Sequence, residues 1–348
     1  MVNIKINKQC IQVEDNITIL EACNKIGIQI PNFCHDERLK PHSSCGICVV
    51  EVNGEKIKNS CSTMVEEGME IITGSKKVMQ IRSKILTNMI SNHDLSCKDC
   101  YKEGSCKLQK YFVEYAPYID KKSLKIEKKY LPINEENKFY DYDPNKCIKC
   151  KKCFRVCEEL QNSHAIDSKF RIYKKEGREQ IIAKVGDTHC VSCGNCITVC
   201  PTGALTPKFE KEKTNQTEDV RTTCTYCGVG CQLDLKVKDD KVVGVEAANG
   251  PSNEGLLCVK GRFAYNFVNH KDRLTNPLIK KNGKFEEVSW EEAYDYIVEN
   301  YESIKEEYGS DAFAGLASAR CTNEDNYLFQ KMFRKIIKTN NIDHCARL

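Results

Sequence analysis

Apolar and polar residues alternate at the start of the chain, over residues 2–6 and again over 10–13, with the two-residue period of half-buried strands. Thr18 stands where an N-cap belongs, ahead of ILEACNKIG, and Gly27 is placed to stop that helix. VVEVNGEKI reads as a hairpin, because Asn53-Gly54 tolerates the positive φ angles of a tight turn. Residues 79–92 repeat their apolar positions at helical spacing. Residues 117–146 are lysine-rich and weakly periodic, as in a linker or an extended wrapping segment. RIYKKEGREQIIAKV reads as a hairpin insertion, and residues 208–221 are nearly devoid of apolar side chains, which marks a domain boundary. After Asn276, VSWEEAYDYIVENYESIKEEYG reads as an amphipathic helix capped by Ser289, AFAGLASA as a buried strand, and NEDNYLFQKMFRKIIK as a second amphipathic helix. Strand alternating with helix is the start of an α/β domain.

Composition changes this picture little. With 41% apolar and 29% charged residues the chain of 348 is ordinary globular material, and its mean hydropathy of −0.51 argues for several cores rather than one large one. The net charge of +4 comes from 53 basic and 49 acidic residues, so no nucleic-acid footprint is implied. No apolar run reaches the ~18 residues of a membrane span, and MVNIKINKQC lacks the blocks of a signal peptide. The expected location is cytoplasmic.

Cysteine is the abnormal residue. Of 23 in the chain, all but Cys10, Cys23, Cys321 and Cys345 fall in five tight groups. Cysteines two or three residues apart are poorly placed to pair with each other, and this density in an intracellular chain points to metal. The most specific signal is Cys147-x2-Cys150-x2-Cys153-x3-Cys157, repeated 43 residues later as Cys190-x2-Cys193-x2-Cys196-x3-Cys200. In two-cluster bacterial ferredoxins the fourth cysteine of each run ligates the other cluster. On that pattern Cys147, Cys150, Cys153 and Cys200 hold one [4Fe–4S] cluster, and Cys190, Cys193, Cys196 and Cys157 hold the second. Pro201 follows the second run as the pattern expects, whereas Glu158 takes that place after the first. Structural zinc is the competing reading, but zinc sites favour paired C-x2-C units.

The first group, Cys34-x10-Cys45-x2-Cys48-x12-Cys61, offers the four thiolates of a [2Fe–2S] centre, with Gly46 letting the backbone turn close to the sulfides. Its spacing resembles the β-grasp domain of respiratory NADH dehydrogenase and of iron-only hydrogenases; a zinc loop is the alternative. The next group, His93-x3-Cys97-x2-Cys100-x5-Cys106, is completed economically by an imidazole as fourth ligand of a [4Fe–4S] cluster, and it resembles the histidine-ligated site of the same two families. The bland alternative leaves His93 spare, as His35, His42 and His164 are expected to be. The last group, Cys224-x2-Cys227-x3-Cys231-x26-Cys258, resembles the N-terminal [4Fe–4S] domain of molybdopterin oxidoreductases. Lys260 matches the lysine that this family places between cluster and pterin as an electron relay, although an exposed surface lysine is the commoner fate.

In this order the five groups resemble the catalytic subunit of cytosolic formate dehydrogenases coupled to NAD or ferredoxin, over essentially the whole chain. The resemblance implies an α+β multidomain fold: a [2Fe–2S] β-grasp domain at 1–78, a [4Fe–4S] segment with one histidine and three cysteine ligands at 79–118, a two-cluster ferredoxin-like domain at 139–208, a molybdopterin oxidoreductase Fe4S4 domain at 218–274, and the beginning of its α/β domain at 275–348. It implies one [2Fe–2S] and four [4Fe–4S] clusters. In the full-length enzyme it further implies a bis-molybdopterin guanine dinucleotide carrying molybdenum or tungsten. The implied partners are a flavin-containing NAD-linked subunit, ferredoxin or a hydrogenase, with formate as substrate and no nucleic acid. The competing functions are a stand-alone electron carrier or connector and an NADH dehydrogenase peripheral-arm subunit. Cys10 and Cys23 read as core of the first domain, Cys321 and Cys345 as packing, and His344 is unassigned.

In the formate dehydrogenase family the CAR-aliphatic sequence is followed at once by the cysteine or selenocysteine that binds the metal, and then by histidine. Here CARL ends the chain at Leu348. Selenocysteine is encoded by UGA, which ordinary translation reads as stop, so the expectation is a selenoenzyme interrupted at its catalytic residue, the 348 residues alone being inactive toward formate. The gene is accordingly expected to carry UGA directly after the Leu348 codon, then a histidine codon and a long open frame. A sense codon other than cysteine, read by sequencing across this point, defeats the expectation.

Overall fold

The computed structural model describes residues 1–54, 56–119, 131–166, 171–175, 178–182, 189–209 and 216–344. Cys345, Leu348 and parts of both linker readings lie outside the described residues. β1 (Val2–Ile6) and β2 (Gln9–Val13) form an antiparallel hairpin turned by Asn7 and Lys8, both at positive φ. α1 (Ile19–Lys25) begins in a capping box: Thr18 Oγ1 accepts from the Glu21 amide at 3.2 Å, and Glu21 Oε2 accepts from the Thr18 amide at 2.6 Å. β3 (Val49–Val52) and β4 (Lys56–Asn59) make the expected hairpin at Asn53-Gly54, and β5 (Glu70–Ile72), which the pattern did not foretell, runs parallel to β1 between β1 and β3. The sheet order is β2-β1-β5-β3-β4, and α1 lays Ile19, Leu20, Ala22 and Cys23 on the core formed by Ile4, Ile6, Val50 and Ile71. This is the β-grasp arrangement.

Cys23 is fully buried in that core, but Cys10 is exposed. Strand alternation explains the difference: Ile11 and Val13 take the inward positions of β2, leaving Cys10 on the outer face of an edge strand.

α2 (Lys76–Ser91) starts three residues earlier than its periodicity suggested, because Ser75 caps it by accepting from the Val78 amide. Arg82 is 4% exposed and fastens three elements: Nη2 donates to the Val49 carbonyl at 2.7 Å, and Nη1 to the Tyr115 hydroxyl of α3 (Lys107–Tyr115) at 3.0 Å.

The stretch read as a linker contains β6 (Tyr140–Tyr142), whose two tyrosines are buried and which pairs with β9 below. α4 (Lys152–Arg155), the hairpin β7 (Arg171–Lys175) and β8 (Arg178–Ile182), α5 (Asn195–Thr198) and β9 (Leu205–Pro207) complete that domain, with β6 and β9 antiparallel. A three-stranded antiparallel sheet follows: β10 (Glu218–Thr223), β11 (Gln232–Lys238) and β12 (Lys241–Ala247), then α6 (Val259–Phe263). β10 begins inside the second linker reading, recruited by pairing rather than by apolar content.

The last segment opens with the hairpin β13 (Leu278–Lys281) and β14 (Lys284–Glu287), turned at Asn282-Gly283. α7 (Trp290–Tyr308) is capped by Ser289 as expected, and β15 (Gly315–Ala317) runs parallel to β16 (Ile342–His344) across α8 (Asn323–Met332). Ala293 is the one buried residue of α7. Trp290, Tyr294 and Ile297 on the same helix are 62%, 58% and 60% exposed.

Arg82→Met keeps the stem and removes both buried donors. It is expected to cost about 1–3 kcal/mol, read as a lower urea midpoint for the near-ultraviolet signal of the N-terminal domain in the metal-loaded chain.

Candidate iron–sulfur centres

In the first group the loop between α1 and β3, together with the turn after β4, carries Cys34, Cys45, Cys48 and Cys61 into one buried cluster with exposures of 2%, 9%, 0% and 1%. Cys48 Sγ and Cys61 Sγ are 3.3 Å apart, and Cys34 hydrogen-bonds with Cys45 and Cys61. Gly46, at φ +69, makes the turn between two of them. Sharing protons splits the set. Cys34 is held far below the ordinary thiol value by bonds from Cys45 and Cys61, Cys48 is brought down to about 7 by its bond to Cys61, and Cys45 and Cys61 are pushed up by Cys34.

His93 follows α2, its amide donating to the Ile90 carbonyl at 3.1 Å. Burial depresses its pKa to about 4, so the ring is neutral at pH 7, and Nδ1 is buried without a hydrogen-bond partner. A neutral imidazole with an orphaned nitrogen fits a metal ligand. Cys97 and Cys100 flank a single 3₁₀ turn, Cys106 leads into α3, and the three thiols lie within electrostatic reach of one another. Gly203, from the next domain, approaches so closely that an added Cβ would overlap Cys100 Sγ.

The two ferredoxin-type runs fold alike. Lys149 and Ser192, two residues past the first cysteine of each run, both have positive φ, and so do Lys151 and Gly194 two residues further on. Three of these four are not glycine, and a left-handed backbone costs such residues about 1–3 kcal/mol each. The coil they impose turns successive thiols inward. One hollow is lined by Cys147, Cys150, Cys153 and Cys200, another by Cys157, Cys190, Cys193 and Cys196. Each therefore takes three thiols from one run and one from the other. Burial raises Cys150 to about 12 and raises Cys153 and Cys196 well above the ordinary value, so these thiols stay protonated until a metal displaces the proton. Tyr140, 2% exposed, sets its hydroxyl 3.4 Å from Cys190 Sγ, and Asn137 Nδ2 lies 3.7 Å from the same sulfur. Sequence reading missed both, because their strand and loop sit in the lysine-rich stretch.

In the fourth domain the Cys224 amide donates to the Cys231 carbonyl at 2.8 Å, Cys258 is the N-cap residue of α6, and Cys224 feels Cys258 and Cys227 electrostatically. Cys227 and Cys258 are exposed, as is Lys260 in α6. His42, His164, Cys321 and His344 are also exposed, and His35 is half-buried beside Cys34. Among the described residues no three His, Cys, Asp or Glu side chains gather tightly enough to grip a lone ion; the ferredoxin-type sets surround hollows instead.

Convergent, buried thiols with a neutral, orphaned imidazole fit iron–sulfur centres, and the fold and its sites define a multi-centre iron–sulfur electron-transfer protein. Residues 1–76 match the 2Fe-2S iron-sulfur cluster binding domain, 82–117 the NADH-ubiquinone oxidoreductase-G iron-sulfur binding region, and 146–204 the 4Fe-4S dicluster domain. Residues 217–270 match the molybdopterin oxidoreductase Fe4S4 domain and 273–348 the molybdopterin oxidoreductase domain. The chain carries segments that match two molybdopterin oxidoreductase models and is similar to proteins named as formate dehydrogenases. Two from Staphylococcus aureus, strains Mu50 and MSSA476, each named "Putative formate dehydrogenase", are 33% identical over 96% of this chain and 38% of their own length. This chain thus spans little more than a third of those relatives. A solved structure of an NAD+-reducing [NiFe]-hydrogenase in its H2-reduced state is similar at 26% identity and a TM-score of 0.50, over 60% of this chain and 87% of that one. Among the described residues no helix is long and apolar enough to cross a membrane.

A ligating thiolate carries no proton, so between Tyr140 and Cys190 it is the tyrosine hydroxyl that donates, beside the Asn137 amide. Tyr140→Phe removes that donor and is expected to lower the reduction potential of one [4Fe–4S] centre. A difference of ~0.5–1.5 kcal/mol, the net scale of one hydrogen bond, corresponds to about 20–60 mV for a one-electron couple, which an EPR redox titration resolves. His93→Cys, which puts a thiolate where a neutral ring stood, is expected to lower a different centre by more. Potentials unchanged in both variants make these residues bystanders.

Proposed function

We propose that the chain is the electron-transfer portion of a formate dehydrogenase, in which formate is oxidised to CO2 and the electrons pass to an NAD- or ferredoxin-linked partner. The observation that carries this reading is the convergence of the cysteine groups, in an order of domains that relatives named as formate dehydrogenases share over 96% of the chain. The proposed ligand sets are Cys34, Cys45, Cys48 and Cys61 for a [2Fe–2S] centre, and four sets for [4Fe–4S] centres. These are His93 with Cys97, Cys100 and Cys106; Cys147, Cys150 and Cys153 with Cys200; Cys190, Cys193 and Cys196 with Cys157; and Cys224, Cys227 and Cys231 with Cys258. Such centres, when bound, carry single electrons and so divide a two-electron oxidation into one-electron steps.

The protein's own contribution is to hold the ligands at fixed separations and to keep most of them away from water. Tyr140 and Asn137 donate toward Cys190, and the apolar walls of Tyr142 and Leu205 exclude water from the Cys147 hollow. Lys260 is the proposed relay toward a pterin, its exposed position in α6 leaving it free to meet one. Molybdenum or tungsten on a bis-molybdopterin guanine dinucleotide belongs to this proposal for the whole enzyme, as do the domain limits 1–78, 79–118, 139–208, 218–274 and 275–348. The similarity to an NAD+-reducing hydrogenase supports a partner that exchanges electrons with this chain within a complex, and a cytoplasmic location belongs to the same proposal.

Anaerobic reconstitution of the 348-residue chain is expected to load about 18 iron atoms and as many sulfides, the content of one [2Fe–2S] and four [4Fe–4S] centres. Zinc in their place, or iron far below this, removes the electron-transfer reading. A longer gene product carrying the rest of the molybdopterin domain, made with selenium and molybdate or tungstate, is expected to reduce viologen dyes with formate. Full cluster loading without that activity leaves the carrier role and removes formate.

A further inference from the structure

α6 stands between two of the thiol sets. Cys258 is its N-cap residue, and a Cβ built on Gly261 would lie 3.5 Å from Cys224 Sγ, so one flank of the helix faces the fourth-domain set. Arg262, four residues after Cys258, leaves by the other flank and is 3% exposed. Its Nε donates to the Cys193 carbonyl at 3.1 Å and its Nη2 to Thr198 Oγ1 at 2.5 Å, both within the second ferredoxin-type run. Gly194 closes on the Arg262 stem so tightly that an added Cβ would overlap Cδ. Contacts on either side fasten the same helix. The Leu257 amide donates to Asn195 Oδ1 at 3.1 Å, and Phe263 stacks on Phe139 with ring centroids 5.0 Å apart and planes at 20°.

A guanidinium is the natural group for this place. Its planar fork bonds two acceptors at once, it remains charged when buried, and it sheds water more readily than an ammonium. The buried guanidinium lies against the Cys193 carbonyl, so its charge stands beside that ligand loop with little water to screen it. Peptide amides and carbonyls alone would tie the two domains without supplying charge.

We propose that Arg262 is the positioning residue for electron transfer between the Cys224/Cys227/Cys231/Cys258 set and the Cys157/Cys190/Cys193/Cys196 set. Its fork fixes their separation, and its charge favours the reduced state of the second. The step moves one electron: the first centre is oxidised as the second is reduced, no bond breaks, and the added negative charge develops beside a buried cation. The proposal rests on both sets holding iron–sulfur centres. It does not depend on formate as the substrate.

The test uses the reconstituted 348-residue chain, with EPR redox titration for potentials and pulsed EPR for the magnetic coupling between centres. Arg262→Gln is expected to lower the potential of one [4Fe–4S] centre by about tenfold in its electron equilibrium, about 59 mV for a one-electron couple, and to weaken the coupling. Arg262→Lys keeps the charge and loses the fork, so coupling is expected to fall while the potential holds. Thr198→Val removes one acceptor only, and is expected to weaken coupling without moving any potential. Arg262→Gln with wild-type iron, potentials and coupling overturns the proposal. Where Arg262→Gln fails to retain iron, unchanged coupling in both Arg262→Lys and Thr198→Val overturns it. A wild-type chain that takes up no iron overturns this proposal and the electron-transfer reading together, whereas full loading with a silent Arg262 overturns this one alone.

Discussion

A thiolate in an apolar hollow is stable only when a metal neutralises it, and a thiol there resists losing its proton. This chain lines two such hollows with eight cysteines and buries four more in the loops of its first domain. Six cysteines pack against the core of the ferredoxin-type domain, which otherwise contains Tyr140, Tyr142, Ile166, Ile197, Ala204, Leu205 and Phe263. The fourth-domain core is smaller still, with Leu233, Val245, Leu257 and Tyr265 around Cys224 and Cys231. Metal binding would supply folding energy to domains this short of apolar residues, whereas the β-grasp unit has a substantial core of its own, with Ile6, Ile19, Leu20 and Ile71 fully or almost fully buried.

Holding such units at useful distances falls to polar ties between them. Arg38, bracketed by Asp36 at 2.9 Å, reaches from the first domain to the Glu254 carbonyl of the fourth, and the Lys40 amide donates to Glu159 of the ferredoxin-type domain at 3.0 Å. The Lys107 amide meets the Pro201 carbonyl at 3.0 Å, and the Asp94 amide meets the Asn145 carbonyl at 2.9 Å. Most of these bonds involve backbone groups, whose positions are less adjustable than side chains. Gly194, Gly203 and Gly255 stand where a side chain of another domain approaches closely, so domain separation is set by backbone contact as well as by charge.

Legibility in the sequence divided along lines of range. Local devices were plain. The Thr18 capping box, the Asn53-Gly54 turn, the Ser289 cap and the cysteine spacings all act within a few residues. The misreadings concern pairing at a distance. β5 has only three residues and gains its place by lying between β1 and β3, and β6 is recruited by β9 from a stretch whose lysines conceal two buried tyrosines. Cys10 was misplaced because its strand is an edge, where one face alone meets the core. The Asn282-Gly283 turn was present as a signal and went unread, although it marks the β13–β14 hairpin by the same rule that found the first.

The sequence by itself determined which residues are chemically able to bind metal, how they group, and which family the whole series resembles, because ligand spacing is a property of the chain. It also pointed to His93 as the economical completion of the second group. Only the tertiary structure decided that His93 is dry, neutral and short of a partner, and that Tyr140 faces Cys190. It alone placed Arg262 of one domain against the ligand loop of another. Each of these depends on bringing together segments tens of residues apart, and the desolvation that shifts His93 and the buried thiols exists only once those segments have met.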